Sequence, residues 1–139
     1  MTPTNLRDQI IRDEGCRLKV YTDTVGVPTI GVGRNLKDKG ISQQEADLML
    51  DNDLSEYSAA VLINFPWAMG LTEVRRAVLT NMAFNLGIKG LKKFKKMLAA
   101  AENGDYEKAA EEMLDSDWAT QVGDRAVRLA NQMASGEWH

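Results

Sequence analysis

Cysteine and histidine are almost missing from this chain, which has one of each in 139 residues. A single cysteine cannot form an internal disulfide, which fits a protein made and folded in a reducing cytoplasm. Cys16 and His139 together are too few for a zinc site built from Cys and His ligands. The composition therefore excludes a disulfide-stapled secreted module and a zinc finger.

Long apolar runs are missing as well. No segment approaches the roughly 20 apolar residues that span a bilayer, so we expect no stable membrane insertion. The first residues, MTPTNLRDQ, lack the basic and apolar regions of a signal peptide, so we expect any export to depend on another protein. A length of 139 residues predicts one compact domain.

Basic residues are in slight deficit, with 17 Lys and Arg against 20 Asp and Glu, a net charge of −3. This balance argues against a dedicated nucleic-acid binder. Residues 89–96, KGLKKFKK, are the exception, with five lysines and no acid. Such a stretch is either a surface for polyanions such as cell-wall polymers or simply a solvated helix face.

The apolar periodicity predicts a small sheet among helices, an α+β protein that is predominantly helical. Thr2-Pro3 predicts the start of a helix that reaches Glu14 and ends in a left-handed Gly15 cap. Alternation then predicts two strands on either side of a turn at 23–26, and weakly a third at 34–36. From the capping box at Ser42 onward the pattern is helical, with a long helix over 43–64 and later helices capped by Thr72, Asp105 and Asp124.

Glu14 occupies an unusual place for an acid. Leu6, Ile10 and Glu14 are spaced by four residues and share the apolar face of the first helix, so Glu14 is expected to be partly buried. It also lies at the negative end of the helix dipole. Both effects favour the protonated carboxyl, which suits a general acid. The alternative is that Glu14 turns outward or pairs with a base.

Asp23 and Thr29 belong to the hairpin that follows. Alternation puts Asp23 on the face away from Leu18 and Val20, and Thr29 away from the packed side of the opposite strand. We therefore expect Asp23, Thr29 and Glu14 to share one surface. A protonated carboxyl that faces a solvated carboxylate is typical of an inverting glycosidase. The alternative for Asp23 is the ordinary turn role of aspartate.

The run Glu14-x8-Asp23-x5-Thr29, with TIGVG at 29–33, resembles the catalytic spacing of the phage-type lysozymes. The likeness extends to LTEVRRAVLTNMAFNLG at 71–87, which is similar to the central buried helix of that family. It continues through the C-terminal part of the chain, at Asp117-Trp118, Gln121, Asp124-Arg125-Ala126 and Gly136-Glu137-Trp138.

The resemblance implies a single lysozyme-like domain over residues 1–139. It would have a small antiparallel sheet lobe at about 13–50 and a helical lobe at about 60–139 that includes the first helix. A long helix would join the lobes, with a cleft between them. The resemblance also implies a monomer that needs no cofactor.

The activity implied by the resemblance is cleavage of the β-1,4 bond between N-acetylmuramic acid and N-acetylglucosamine in peptidoglycan. Glu14 matches the general acid, and Asp23 and Thr29 match the pair that positions the water. Phe84 and Asn85 match cleft-wall positions that bind substrate, and Arg125 matches an arginine that reaches the acid. We expect an enzyme made in the bacterial cytoplasm that reaches the wall through a separate pore protein.

The chain departs from the family pattern in two places, and two alternative functions stay open. Arg34 stands where many relatives have histidine, so any ion pair there must be built differently, and the segment between Arg34 and Ser42 is short. The same domain could act on chitin-like polymers, or serve as a wall-binding or assembly module without turnover. The retained Glu14, Asp23 and Thr29 argue against the module, and Asp23 also argues against a lytic transglycosylase.

Overall fold

The computed structural model describes residues 2–139, and its contacts divide the chain into two compact units, Met1–Met49 and Leu50–His139. The first unit contains helix α1 (Leu6–Glu14) and strands β1 (Arg17–Thr22), β2 (Pro28–Gly31) and β3 (Arg34–Asn35). Helix α2 (Gln43–Asn64) begins in this unit. The contacts group α1 with the strands, whereas the resemblance assigns α1 to the helical lobe. That assignment stays a prediction.

Helix α1 begins later than the Thr2-Pro3 pair predicted. Asn5 is the N-cap, and its side chain accepts a hydrogen bond of 2.8 Å from the backbone N–H of Asp8. Asparagine is among the strongest N-caps, which explains the shift. The predicted end at Glu14 is confirmed, and the Gly15 N–H donates to the Ile11 carbonyl at 2.8 Å. Gly15 has φ +75° and ψ 172°, so the left-handed helical cap predicted there is wrong.

The three strands form one antiparallel sheet in the order β1-β2-β3. Tyr21 lies opposite Thr29, and Arg17 lies opposite Gly31, with an irregularity in the register between them. The hairpin and its turn are confirmed, and so is the short third strand.

The packed face of the sheet is not the one that the sequence predicted. Leu18 and Val20 are 87% and 61% exposed, whereas Thr29 is only 3% exposed and Tyr21 is half-buried. Apolar character alone does not select the packed face of so small a sheet, because what lies against each face decides it. Thr29 tolerates burial because its hydroxyl has a hydrogen-bond partner within the hairpin.

Helix α2 has the predicted bounds and the predicted capping box. The Glu45 N–H donates to the Ser42 hydroxyl at 3.1 Å, and the Ser42 N–H donates to Glu45 Oε1 at 2.9 Å. These two bonds satisfy donors that the first helical turn would otherwise leave free.

The second unit is helical throughout its regular structure. A 3₁₀ turn over Pro66–Gly70 follows α2, and the remaining helices are α3 (Glu73–Lys92), α4 (Lys95–Glu102), α5 (Tyr106–Leu114), α6 (Asp117–Val122) and α7 (Asp124–Ser135). The caps predicted at Thr72 and Asp105 are confirmed, and Gly87 interrupts α3 with φ +74°. Asp124 is the first residue of α7 rather than its cap, because Gly123 precedes it at φ +58°, and α6 was not predicted.

The apolar core of the described chain belongs to the second unit. Its fully buried large side chains are Val61, Val78, Leu79, Met82, Leu91, Met97, Met113 and Met133. Helix α5 packs on both α4 and α7 to enclose them. The core therefore supports α3 and α7, which carry Phe84, Asn85 and Arg125. No helix within residues 2–139 is both long and apolar enough to cross a membrane.

Candidate active site

Asp23 and Thr29 both hydrogen-bond to the backbone of one residue, Val27. Asp23 Oδ1 accepts backbone N–H bonds from Val25 at 2.9 Å and from Val27 at 2.8 Å. The Val27 carbonyl accepts from the Asp23 N–H at 3.0 Å and from the Thr29 hydroxyl at 2.8 Å. The hairpin turn thus fixes both side chains, and the ordinary turn role of Asp23 is also present.

The side chains of Asp23 and Thr29 can each still accept a hydrogen bond. Both N–H bonds go to Asp23 Oδ1, so Oδ2 keeps its lone pairs for another partner. The Thr29 hydroxyl donates its one proton to the Val27 carbonyl, so it can only accept a hydrogen bond from a further molecule. A water donates two protons, and these two oxygens are the kind of acceptors that would orient it.

The Glu14 carboxyl lies against the turn between β2 and β3. A Cβ atom built on Gly33 would lie 2.8 Å from Glu14 Oε2 and 3.1 Å from Glu14 Cδ. Only glycine leaves this space, and Gly33 also has φ +65°, which other residues rarely adopt. Gly33, in the TIGVG run, thus marks the place where the Glu14 carboxyl comes close to the backbone.

Glu14 is exposed, and the partial burial expected for it is wrong. The reason is that α1 has no buried residue: Leu6 is 67% exposed and Ile10 is 43% exposed. The position of Glu14 as the last residue of α1, at the negative end of the helix dipole, is as predicted.

Arg34, which stands where many relatives have histidine, forms an ion pair with Glu45. Its Nη1 lies 2.7 Å from Glu45 Oε1 and donates to the Gly40 carbonyl at 3.2 Å. The hydrogen bond from Arg34, together with bonds from Ser42, lowers the pKa of Glu45 from 4.5 to about 2. Glu45 was identified from the sequence only as part of a capping box, and nothing in the spacing pointed to Arg34.

Phe84 and Asn85 lie side by side on α3 but differ in their surroundings. Phe84 is 39% exposed, lines a cavity of about 610 Å³ in the second unit, and packs at a tilt on Tyr57 with ring centroids 5.4 Å apart. Asn85 Oδ1 accepts a 2.7 Å bond from the indole N–H of the buried Trp118. This bond ties the Asn85 side chain to α6, and its two amide N–H groups are left to donate to a ligand.

Arg125 is bound to a residue that the sequence analysis did not single out. Its Nε and Nη2 donate to Asn81 Oδ1 at 3.1 and 2.7 Å. Asn81 lies four residues before Asn85 on α3, and that spacing could have signalled that the two asparagines share a helix face. The predicted pair of Arg125 with Glu14 joins residues of the two units and stays a prediction.

The sheet and helices define an α+β protein of the lysozyme-like class, in which a hairpin carries Asp23 and Thr29 and the helix before it ends in Glu14. The family model for phage lysozyme matches residues 12–134. The chain therefore belongs to the phage lysozyme family.

Named relatives agree with this assignment. The chain is 31% identical to the pre-baseplate central spike protein Gp5 of Enterobacteria phage T4, over 95% of this chain but only 28% of that protein. It is 28% identical to probable T4-type lysozyme 2 of Dictyostelium discoideum, with 96% of this chain and 95% of that one covered. It is 34% identical to the endolysin of Salmonella phage P22 over 55% of this chain and 56% of that one.

Proposed function

We propose that this protein hydrolyses the β-1,4 bond between N-acetylmuramic acid and N-acetylglucosamine in the bacterial cell wall. Membership of the phage lysozyme family supports peptidoglycan hydrolysis in general. The particular bond, the mechanism and a role in lysis are the finer part of the proposal. Glu14 protonates the glycosidic oxygen, while Asp23 and Thr29 hold the attacking water.

One observation carries the assignment of roles. The hairpin bonds to Asp23 through one carboxylate oxygen, and the Thr29 hydroxyl donates its proton to the hairpin. Asp23 Oδ2 and the Thr29 hydroxyl oxygen can therefore each accept a hydrogen bond from a water. A carboxylate with a fixed orientation is what a general base needs, because proton transfer requires hydrogen-bond reach to the water. The exposed Glu14 carboxyl is accessible to a polymeric substrate.

The decisive experiment is turbidity clearing of permeabilised bacterial cells by the wild type and Glu14→Gln. Glutamine has the same shape but cannot donate a carboxyl proton, and acid catalysis contributes about 10²–10⁴-fold. We expect clearing to disappear with the fold retained. Asp13→Asn is the matched control, because Asp13 is the neighbouring exposed acid and pairs with Arg12 at 2.9 Å. Clearing by Glu14→Gln at the wild-type rate would remove Glu14 from the mechanism.

Inversion of configuration is the second part of the proposal. An inverting enzyme needs room for a water between its carboxyl groups, at roughly 6.5–9.5 Å, whereas a retaining enzyme needs about 5–5.5 Å. NMR of the first-formed anomer from a soluble peptidoglycan fragment should detect the α product of the β-linked substrate. A β product would mean that Asp23 is a nucleophile rather than a base.

Arg125, Phe84 and Asn85 are proposed to assist from the helical unit. The resemblance predicts that Arg125 pairs with Glu14, and a double-mutant cycle of Arg125→Met with Glu14→Gln measures that pairing as a coupling in the free energy of unfolding. The cycle of Arg125→Met with Asn81→Ala is the positive control, because those side chains are in contact. Zero coupling with Glu14 alongside coupling with Asn81 would leave Arg125 with a structural role only.

A second candidate rests on the spike protein Gp5. This chain matches about a quarter of the length of that protein, whose name describes a central spike. The second candidate is therefore a lysozyme domain that acts as part of a larger particle. The alternative is the free endolysin, made in the cytoplasm as a monomer and released through a separate pore protein. Immunoblots of purified particles and of the lysate distinguish the two, because a spike component fractionates with particles and a free endolysin does not.

A further inference from the structure

The Glu14 carboxyl rests on a single backbone position. Gly33 approaches so closely that its missing Cβ would overlap the carboxyl, 2.8 Å from Oε2. A shift of the Gly33 backbone toward Glu14 would bring it against the carboxyl. The position of the proposed acid thus depends on what fixes residue 33.

The residue that follows Gly33 is fixed by side-chain bonds. Arg34 pairs with Ile30 in the sheet, and its Nη1 donates to Glu45 Oε1 at 2.7 Å and to the Gly40 carbonyl at 3.2 Å. Glu45 is itself fixed, because its Oε1 also accepts the Ser42 N–H at 2.9 Å. A continuous series of bonds therefore runs from the start of α2 through Glu45 and Arg34 to the peptide beneath Glu14.

We propose that Arg34 and Glu45 are positioning residues for the proposed general acid: their ion pair holds the Gly33 peptide in place against the Glu14 carboxyl. This proposal rests on the proposed function, in which Glu14 donates the proton. Neither residue touches the reacting atoms. Their effect is transmitted through one peptide group.

The exposure of the pair separates this role from a purely structural one. The Arg34 and Glu45 side chains are 27% and 42% exposed, and ion pairs at that exposure contribute little to folding stability. Catalysis is far more sensitive to geometry, because a misplacement of about 1 Å can cost about 10²-fold in rate. Breaking the pair should therefore lower activity much more than stability.

The first test compares kcat and KM on a soluble peptidoglycan fragment for Arg34→Met, Glu45→Gln and Arg34→Lys. We expect the first two to lower kcat by about tenfold with KM unchanged within about twofold, since the acid is misplaced but the binding surface is intact. Arg34→Lys should recover most of kcat, because one nitrogen makes both bonds of Arg34. Lys108→Met is the control, because it breaks another ion pair, Lys108–Glu112 at 3.2 Å in α5, which lies in the second unit.

The second test does not depend on activity. The NMR signal of the Gly33 amide should shift as the Glu14 carboxyl titrates, and this shift should vanish in Glu14→Gln. In Arg34→Met and Glu45→Gln its amplitude should fall, whereas in Lys108→Met it should match the wild type.

Opposite results overturn the proposal in distinguishable ways. Wild-type kcat in both Arg34→Met and Glu45→Gln, or an unchanged Gly33 titration in them, would show that the pair does not position Glu14. Full activity of Glu14→Gln would instead refute the proposed function, and the amide titration would still report whether the pair controls the contact.

Discussion

At the scale of single residues, Asp23 has two tasks that its carboxylate oxygens divide between them. Oδ1 holds the turn through Val25 and Val27, and Oδ2 is the oxygen proposed to activate water. Asp23→Asn keeps a carbonyl oxygen for the turn but removes the base, so clearing should fall by about 10²–10⁴-fold while the hairpin stays folded. Asp23→Ala removes both, so the NMR signals of the hairpin amides should change as well.

The comparison of these two variants decides what Asp23 contributes. Clearing rates measure the base, and the chemical shifts of the Val25 and Val27 amides measure the turn. Wild-type clearing by Asp23→Asn would limit Asp23 to the turn role that aspartate often has. Thr29→Ser is the matched control in the same hairpin, because serine retains the hydroxyl that donates to Val27.

The sequence predicted the identity of the site residues better than their surroundings. The spacing of Glu14, Asp23 and Thr29 is a local property, and the hairpin does bring Asp23 and Thr29 to the backbone of one residue, Val27. Burial is not local, because it depends on what packs against a face. For that reason the predictions that Glu14 is partly buried and that Thr29 faces outward were both wrong.

At the scale of elements, Arg75 joins three helices of the second unit. From α3 it donates to the Met133 and Ala134 carbonyls near the end of α7, at 2.7 and 2.9 Å. Its guanidinium also lies 3.7 Å from the ring centroid of Tyr106 at the start of α5. These bonds satisfy carbonyls that the last turn of a helix leaves without an intrahelical partner.

Arg75→Met should therefore lower the free energy of unfolding by roughly 2–4 kcal/mol, the sum expected for charged hydrogen bonds and a cation–π contact. Urea denaturation measures this loss. Arg75→Lys should lose less, since lysine keeps the charge but not the two-pronged geometry. Arg128→Met, at an exposed arginine of α7, is the control and should change the free energy of unfolding by less than about 0.5 kcal/mol.

The Arg34–Glu45 pair predicts how stability depends on acid. The pKa of Glu45 is lowered from 4.5 to about 2 in the folded protein, mainly by the bond from Arg34. A lowered pKa contributes stability above the unfolded value of 4.5, and this contribution is lost as the pH falls toward 2. The difference in unfolding free energy between wild type and Glu45→Gln should thus be small, because the pair is partly exposed, and it should be present above pH 4.5 and lost as the pH falls through about 2.

Urea denaturation at a series of pH values checks this expectation. Glu102→Gln, at an exposed carboxylate that ends α4, is the control for the general effect of removing one acid. A difference that stayed constant down to pH 2 would show that the pair with Arg34 does not form in solution.

Element boundaries were predictable wherever a side chain sets them. The Ser42 capping box and the Thr72 and Asp105 caps are all local chemistry, and all are confirmed. Helix α6 has only six residues and was missed, since one and a half turns carry too little periodicity to recognise. Its start depends on Ser116, whose hydroxyl accepts the Ala119 N–H at 3.2 Å.

At the scale of the whole molecule, the lysine-rich stretch is the feature that the proposed chemistry does not use. Its five lysines, at 89, 92, 93, 95 and 96, are all exposed. Lys93, Lys95 and Lys96 line a groove of about 710 Å³ in the second unit, whose lining also includes Glu112, Asp115 and Asp117. Attraction of a protein with net charge −3 to an anionic wall would have to come from such a local patch, and the acids beside it oppose that attraction.

The salt dependence of clearing decides between the two interpretations of this stretch, a polyanion surface or a solvated helix face. If the lysines attract the wall, replacing Lys92, Lys93, Lys95 and Lys96 together by glutamine should lower the clearing rate several-fold at low salt. The effect should disappear near 1 M salt, where charges are screened beyond about 3 Å. Asp115→Asn combined with Asp117→Asn should do the opposite and raise the low-salt rate, because it removes acids that line the same groove.

Two exposed lysines of the first unit supply the control for this comparison. Replacing Lys37 and Lys39 by glutamine lowers the net charge of the molecule without touching the groove. If the position of the charge matters, this variant should clear cells at close to the wild-type rate at every salt concentration. Equal losses per lysine removed in both sets would mean that only the total charge counts. Unchanged clearing in both would make residues 89–96 a solvated helix face with no part in wall binding.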